Sequence, residues 1–268
     1  MSNAQKSAAA APRPALRALV SVRNLDEALQ AARAGVGFID LKEPSDGALG
    51  GLPVAAIGPI VQALRHAAPA TPVSATIGDW PAEAVALIER QVARVATTGV
   101  DFVKVGIEPG PAALALAEAL GRQRCAGLPL VPVLIADRAI DDALLERVLA
   151  QGFAAVMLDT ADKRGGSLLQ RHGDARLAEV IARVRQGGSL IGLAGALQFS
   201  DLPRLHQLAP DFAGFRSAVC AGDRRLGLDA GRLAALLGGL AHSTSTLPPA
   251  AVALPADSPI GAREPLSA

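Results

Sequence analysis

Short runs of apolar and β-branched residues alternate along the chain with longer segments that have helical periodicity. Eight such runs lie at residues 18–22, 37–42, 72–79, 101–107, 129–137, 154–160, 190–197 and 212–219. The segments between them, for example 25–35, 81–99 and 141–152, carry apolar residues at i, i+3, i+4 and i+7. The pattern therefore predicts eight strand–helix units in succession.

Eight such units within 268 residues favour a single (β/α)8 TIM barrel, which typically takes about 250 residues. The alternation alone also permits an open, doubly wound parallel sheet. A G-x-G-x-x-G turn does not follow the first strand, and no phosphate-binding P-loop motif occurs in the chain. We therefore expect α/β architecture in the form of a barrel. Residues 1–16 are expected to be a disordered lead-in, 17–242 the barrel, and 243–268 a Pro/Ala-rich tail.

The amino-acid composition argues against several classes of function. The net charge is +1, and aromatic residues make up only 3% of the chain, so neither a basic nucleic-acid footprint nor a base-stacking surface is indicated. Hydrophobic residues make up 50% and the mean hydropathy is +0.32, enough for a large core. No uninterrupted apolar stretch is long enough to span a membrane. Two cysteines exclude a disulfide framework, so we expect a cytoplasmic protein.

Charged residues occur at the predicted strand ends, where TIM barrels carry their chemistry. In the second strand, Asp40 and Lys42 share one face, because strand side chains alternate, and apolar neighbours occupy the other face. Both are therefore expected to face the barrel axis, and Lys104 likewise in the fourth strand. Since side chains from alternate strands form common layers, we expect Lys42, Lys104, Asp159 and Arg216 to meet near the mouth, with Lys163 just beyond the sixth strand.

Lysine occurs only at Lys6, Lys42, Lys104 and Lys163, in a chain with 26 lysines and arginines. A charge at a strand end can simply mark where the chain reaches water, but three of these four lysines fall at such ends. Lysine, unlike arginine, can lose its proton when burial or a nearby cation lowers its pKa. It can then form a Schiff base or act as a base, with Asp40 and Asp159 moving protons. This set favours aldol or enolisation chemistry on a carbonyl substrate.

Loops after the seventh and eighth strands are a common phosphate-binding place in TIM barrels. Gly195, Arg216 and Ser217 are therefore candidate phosphate-binding residues. The four histidines are widely separated and show no metal-ligand spacing, so no metal site is predicted. Cys220 has no evident partner base and is interpreted as a buried structural thiol.

Five segments together resemble one family. They are Asp40-Leu41-Lys42-Glu43-Pro44 with the following G-A-L-G, and the segments 74–79, 102–106, 157–163 and 193–195. In this order, over about residues 17–240, they resemble (5-formylfuran-3-yl)methyl phosphate synthases of methanofuran biosynthesis, found in methanogenic archaea with relatives in methylotrophic bacteria. The chain departs from the family's pattern at residues 220–225, in a basic segment near the expected phosphate site.

The resemblance implies a TIM-barrel lyase that condenses two molecules of glyceraldehyde 3-phosphate to a furan aldehyde phosphate, losing one phosphate and water. It implies that Lys42 is the Schiff-base residue and Lys104 the proton acceptor, with Asp40, Asp159 and Lys163 in the same site. We expect Lys104 to be kept neutral by neighbouring cations and partial burial. No cofactor is expected. The expected partner is a triose phosphate, without nucleic acid or membrane, and a homo-oligomer is left open.

Two other functions remain open at this point. One is another class I aldolase-like barrel lyase that acts on a different sugar phosphate, which would differ in product. The other is a non-catalytic barrel that binds an anionic metabolite, which would form no covalent adduct that a hydride reagent could trap.

Overall fold

Eight parallel strands form a closed barrel in which each strand pairs with its neighbours in chain order, and the last pairs with the first. The computed structural model describes residues 16–47 and 49–241. The predicted TIM barrel is confirmed, because an open sheet would leave two unpaired edges. The predicted lead-in up to residue 15 and the predicted tail at 243–268 lie outside the described residues.

The strands coincide with the eight predicted apolar runs, although β1 begins one residue before its run. They are β1 (Arg17–Val22), β2 (Phe38–Leu41), β3 (Val73–Thr76), β4 (Phe102–Ile107), β5 (Leu130–Ile135), β6 (Ala155–Asp159), β7 (Leu190–Leu193) and β8 (Phe212–Phe215). The helices are α1 (Leu25–Ala34), α2 (Val54–Ala67), α3 (Val85–Ala96), α4 (Ala113–Cys125), α5 (Asp142–Ala150), α6 (Leu168–Arg171), α7 (Asp174–Gln186), α8 (Leu202–Leu208) and α9 (Ala230–Ala241). None of these helices combines the length and apolar character needed to cross a membrane.

The helix ends follow local chemistry. The Asn24 side chain accepts a hydrogen bond from the Glu27 amide at the start of α1, and Asp141 does the same for Leu144 at the start of α5. Helix α1 ends at Gly35, whose φ of 77° is a left-handed conformation that suits glycine. These caps fix where each helix leaves its neighbouring strand.

Outward strand side chains pack against the helices, and inward ones fill the barrel. Register and stagger around a closed barrel place the inward residues of the even strands in three levels. From base to mouth these are Phe38, Phe102, Ala155 and Phe212; then Asp40, Lys104, Met157 and Gly214; then Lys42, Gly106, Asp159 and Arg216. The base is apolar, with the Phe38 and Phe212 ring centroids 5.0 Å apart.

This layering differs from the sequence expectation at one position. Lys104 lies one level below Lys42, beside Asp40, rather than in the same layer as Lys42, Asp159 and Arg216. Gly106 takes the fourth place at the mouth. A side chain there would collide with Leu49, since a Cβ atom built on Gly106 lies 2.5 Å from Leu49 Cδ1. The apolar Leu49 side chain therefore fills the space at the mouth above Lys104.

Candidate active site

A small, partly open cavity lies at the carboxyl ends of the strands. All eight residues singled out from the sequence line it: Asp40, Lys42, Lys104, Asp159, Lys163, Gly195, Arg216 and Ser217. They come from β2, β4 and β6 and from the segments that follow β2, β6, β7 and β8. The barrel thus brings together groups that are up to 177 positions apart in the chain, as Asp40 and Ser217 are.

The centre of the cavity floor is Asp40, which is fully buried. Its carboxylate accepts hydrogen bonds from Ser21 Oγ at 3.2 Å and Ser74 Oγ at 2.7 Å, and Lys104 Nζ lies 3.0 Å away. Ser21 and Ser74 are the cross-strand partners of Asp40 on its two sides, so the register alone aims both hydroxyls at it. Three partners hold the carboxylate in one orientation.

Lys104 is paired with this carboxylate at 3.0 Å and is only 3% exposed. A buried ammonium in contact with a buried carboxylate is stabilised as an ion pair. The contact pairs Lys104 with a carboxylate, and the neutral amine expected from the sequence stays a prediction.

Lys42 has a pKa below the ordinary value for lysine. Burial lowers its pKa to about 8, and the positive charges of Lys163 and Lys104 act in the same direction. The carboxylates of Asp159 and Asp40 oppose this shift but do not cancel it. Lys42 follows directly after β2, where its backbone amide still donates to Val22 O at 3.0 Å, so the side chain is fixed at the strand end. A buried amine with this pKa can act as a nucleophile near neutral pH.

Asp159 and Lys163 form the facing pair at the end of β6. Lys163 Nζ lies 2.5 Å from Asp159 Oδ1, and the Thr160 amide donates to the same oxygen at 2.7 Å. Burial of Asp159 opposes its ionisation, yet the charges of Lys163 and Lys42 outweigh burial and lower its pKa below the ordinary value. Asp159 therefore stays ionised as the counter-charge for both lysines.

The loop that carries Lys163 is fixed by Asp137, which follows β5. The Asp137 carboxylate accepts hydrogen bonds from the amides of Ala161 at 2.7 Å and Asp162 at 2.9 Å. Across the mouth, Asp79 accepts from the Leu49 amide at 3.1 Å and so holds the loop after β2. These two strand-end carboxylates support loops and do not line the cavity.

Arg216 lines the cavity, but the hydrogen-bond donors of its guanidinium group already have partners within the protein. Nη1 and Nη2 donate to the two carboxylate oxygens of Glu27, a pair only 6% exposed on each side. The remaining donors meet the carbonyls of Ser21, Arg224 and Leu226 at 3.1, 2.8 and 2.8 Å. All five guanidinium N–H groups are therefore engaged. The expected phosphate contact from the Arg216 side chain is not supported, because it would require breaking this buried pair.

Gly195 and Ser217 supply backbone at the edge of the cavity. Gly195 has a φ of 104°, and a Cβ atom there would lie 2.9 Å from the Thr160 side chain and 3.0 Å from its amide nitrogen. Glycine is thus required by both conformation and space. Thr160 Oγ1 is buried below it and has no hydrogen-bond partner among the described residues. Ser217 begins the short 3-10 turn Ser217–Val219 after β8.

Four residues of the site were not identified from the sequence: Ser21, Ser74, Glu27 and Arg224. The two serines could have been found, because they occupy inward positions of β1 and β3 by the same alternation that identified Asp40. Glu27 lies in the first turn of α1, and no local pattern indicates its pairing with Arg216. Cys220 is buried as expected, its thiol donates to Arg216 O at 3.1 Å, and burial raises its pKa.

Comparison with known proteins identifies the relatives of this barrel. The 4-HFC-P synthase family model matches residues 18–237. The chain belongs to the 4-HFC-P synthase family. The (5-formylfuran-3-yl)methyl phosphate synthase of Methanopyrus kandleri is 33% identical over 79% of this chain and 92% of its own length. A Methylorubrum extorquens protein, provisionally named for the same activity, is 40% identical over 81% of this chain and 89% of its own length.

Solved structures similar to this member of the 4-HFC-P synthase family are other TIM barrels. Phosphoribosyl anthranilate isomerase of Thermus thermophilus has a TM-score of 0.59 and 20% identity, covering 84% of this chain and 98% of that one. The 3-keto-L-gulonate-6-phosphate decarboxylase of Vibrio cholerae has a TM-score of 0.56 and 14% identity, covering 85% and 98%. At this level of identity the likeness concerns the fold alone.

Proposed function

We propose that this chain condenses two molecules of glyceraldehyde 3-phosphate to (5-formylfuran-3-yl)methyl phosphate through a Schiff base on Lys42. The observation that carries the proposal is the buried Lys42 amine, with a pKa lowered to about 8 and two carboxylates beside it. Membership of the 4-HFC-P synthase family and the names of its relatives support the product. The reaction class is then that of a phosphate-eliminating carbon–oxygen lyase.

The first step is attack of the neutral Lys42 amine on the aldehyde carbon of one triose phosphate. The carbinolamine that forms loses water to give the protonated Schiff base. The Asp159–Lys163 pair is placed to donate the proton that the departing hydroxyl needs, since Lys163 Nζ contacts Asp159 Oδ1 at 2.5 Å. Asp159 also stabilises the positive iminium nitrogen in place of the Lys42 ammonium.

The second step is removal of the α-proton to give an enamine, and Lys104 with Asp40 is the candidate proton carrier. The 3.0 Å contact allows a proton to move from Lys104 to Asp40, which leaves the Lys104 amine free to accept the substrate proton. Ser21 and Ser74 hold Asp40 in place through this exchange. The expected general-base role of Lys104 is thus kept, but as one half of a pair.

The enamine then expels phosphate or attacks the aldehyde of the second triose. Ring closure and dehydration complete the furan, and hydrolysis of the Schiff base releases Lys42. The atoms balance without an oxidant or a reductant, because two triose phosphates equal the product plus one phosphate and two waters. This agrees with the expectation that no cofactor takes part.

The test is incubation of the purified protein with glyceraldehyde 3-phosphate alone. Furan formation is followed by absorbance and product mass, and a borohydride-quenched sample is mapped for a modified peptide. We expect furan product and an adduct on the peptide that contains Lys42. Lys42→Arg keeps a positive charge but cannot form the adduct, so retained turnover in this variant would exclude the covalent mechanism.

The rival functions give different results in the same experiment. An adduct on Lys42 without furan product would favour a class I aldolase-like lyase with another sugar phosphate as substrate. Neither product nor adduct would favour a barrel that binds an anion without catalysis. Lys104→Arg separates the steps, because it should still form the Lys42 adduct but fail to convert it to product.

A further inference from the structure

Arg224 is a basic residue of the cavity whose guanidinium donors are only partly engaged by the described protein groups. Lys104 and Lys163 each contact a carboxylate, and Arg216 has all of its donors occupied. Arg224 lies in the loop after β8 and lines the same cavity. Its Nη2 donates to Gly47 O at 3.2 Å, while its buried Nε has no hydrogen-bond partner among the described residues.

The Arg224 side chain reaches across the mouth of the barrel. Its contact with Gly47 joins the loop after β8 to the loop after β2, which carries Lys42 at its start. Burial lowers the pKa of the Arg224 guanidinium, and the nearby Asp159 carboxylate opposes this effect. A half-buried guanidinium near Asp159, with a donor that the described protein groups leave unpaired, is suited to an anion that arrives from solvent.

The loop that carries Arg224 is fixed by hydrogen bonds from the Arg216 side chain. Arg216 donates to the backbone carbonyl of Arg224 at 2.8 Å and to that of Leu226 at 2.8 Å, while Glu27 anchors the Arg216 guanidinium. An antiparallel bridge between Cys220 and Leu228 closes the base of the loop. The saturated Arg216 side chain therefore positions backbone, and the Arg224 side chain is turned toward the cavity.

The side chains around the cavity carry a net positive charge that a dianion would neutralise. The cavity wall carries five basic side chains, Lys42, Lys104, Lys163, Arg216 and Arg224, against the two carboxylates of Asp40 and Asp159. With Glu27 counted as the partner of Arg216, a formal excess of two positive charges remains. A phosphate monoester near neutral pH carries about this opposite charge.

We propose that Arg224 binds the phosphate group of a triose phosphate substrate at the mouth, in the role that sequence reasoning assigned to Arg216. A fork of guanidinium donors suits phosphate geometry. The identity of the phosphate as part of a triose rests on the proposed function, whereas binding of phosphate by Arg224 can be tested without it.

The test uses inorganic phosphate as probe, with the whole protein and calorimetric titration. Arg224→Gln should weaken phosphate binding by about 10- to 100-fold, the effect expected for charge-assisted hydrogen bonds. Arg224→Lys should retain part of the affinity. Arg225→Gln is the matched control, because Arg225 is the adjacent arginine, its side chain is 67% exposed, and it pairs with Asp223. It should bind phosphate as the unaltered protein does.

Equal binding by Arg224→Gln and the unaltered protein would overturn the proposal, and so would equal weakening by Arg225→Gln, which would indicate a diffuse charge effect. An unaltered protein that does not bind phosphate would also overturn it. Kinetics with glyceraldehyde 3-phosphate should show a raised KM with a smaller effect on kcat. Phosphate binding that depends on Arg224 in a protein without a Lys42 adduct would refute the proposed function and leave the anion site in place.

Discussion

Replacing Lys42 by methionine should abolish activity and yet make the protein more stable. Lys42 is only 5% exposed, and burial is the main cause of its lowered pKa. A buried ammonium costs folding free energy that methionine, which is apolar and similarly long, does not. The prediction tests whether burial of the Lys42 ammonium lowers the stability of the folded protein, as expected for a lysine whose pKa is lowered for Schiff-base formation.

The magnitude follows from the pKa. One pKa step corresponds to about 1.4 kcal/mol of difference between the two protonation states. Lowering the pKa of Lys42 from 10.5 to about 8 therefore costs the folded state about 3 kcal/mol while the amine is protonated. Between these two pH values the unfolded chain still binds the proton and the folded chain has released it, so the stability of the unaltered protein rises with pH. Below pH 8 the full cost is present.

The assay is equilibrium unfolding in denaturant at intervals from pH 6.5 to pH 10, for the unaltered protein and Lys42→Met. At pH 7 the variant should be more stable by about 3 kcal/mol, and by pH 10 most of this difference should have disappeared. Taking the difference between the two curves removes the titration of groups that both proteins share.

Lys163→Met is the matched control, because Lys163 is a second lysine beside Asp159 but is stabilised by direct contact with it. It should lower stability and leave Asp159 with a weaker counter-charge. Parallel pH curves for Lys42→Met and the unaltered protein would refute the reasoning. A Lys42→Met variant less stable than the unaltered protein at pH 7 would do the same.

Three further results are expected. The rate of borohydride-trapped adduct formation should rise about tenfold per pH step below 8 and level off above it, because only the neutral Lys42 amine reacts; a flat profile from pH 6 to pH 9 would contradict this. Asp40→Asn should cost about 3–5 kcal/mol by leaving Lys104 buried without its charge partner, and adding Lys104→Met should recover most of the stability but no activity. Gly195→Ala should destabilise the fold by more than Gly35→Ala, since both have a positive φ but only Gly195 lacks space for a Cβ; equal losses in thermal melts would show that strain alone decides.

Local sequence patterns predicted which side chains of the strands face the barrel interior, including Asp40, Lys42 and Lys104. Strand side chains alternate, so apolar neighbours on one face leave these groups on the other. Eight strand–helix units in this order close into a barrel, whose chemistry lies at the carboxyl ends of the strands. Those two rules bring all eight candidate residues to one cavity without any knowledge of their contacts.

The height of Lys104 along the barrel axis was not predictable from this local pattern. Alternation says which face a residue takes but not its height, which depends on the stagger between strands around the closed barrel. That stagger sets Lys104 beside Asp40 and gives the place beside Lys42 to Gly106. The difference matters chemically, because it puts Lys104 in direct contact with the Asp40 carboxylate.

The sequence by itself determined the barrel, the inward faces of its strands and the gathering of lysines and aspartates at one end, since these follow from short-range periodicity. The tertiary structure decided which charges meet. Glu27 and Arg216 are 189 positions apart, yet they form a buried ion pair, while Arg224 lines the cavity. Such pairings depend on side-chain distances across the closed barrel, and no local pattern of residues encodes them.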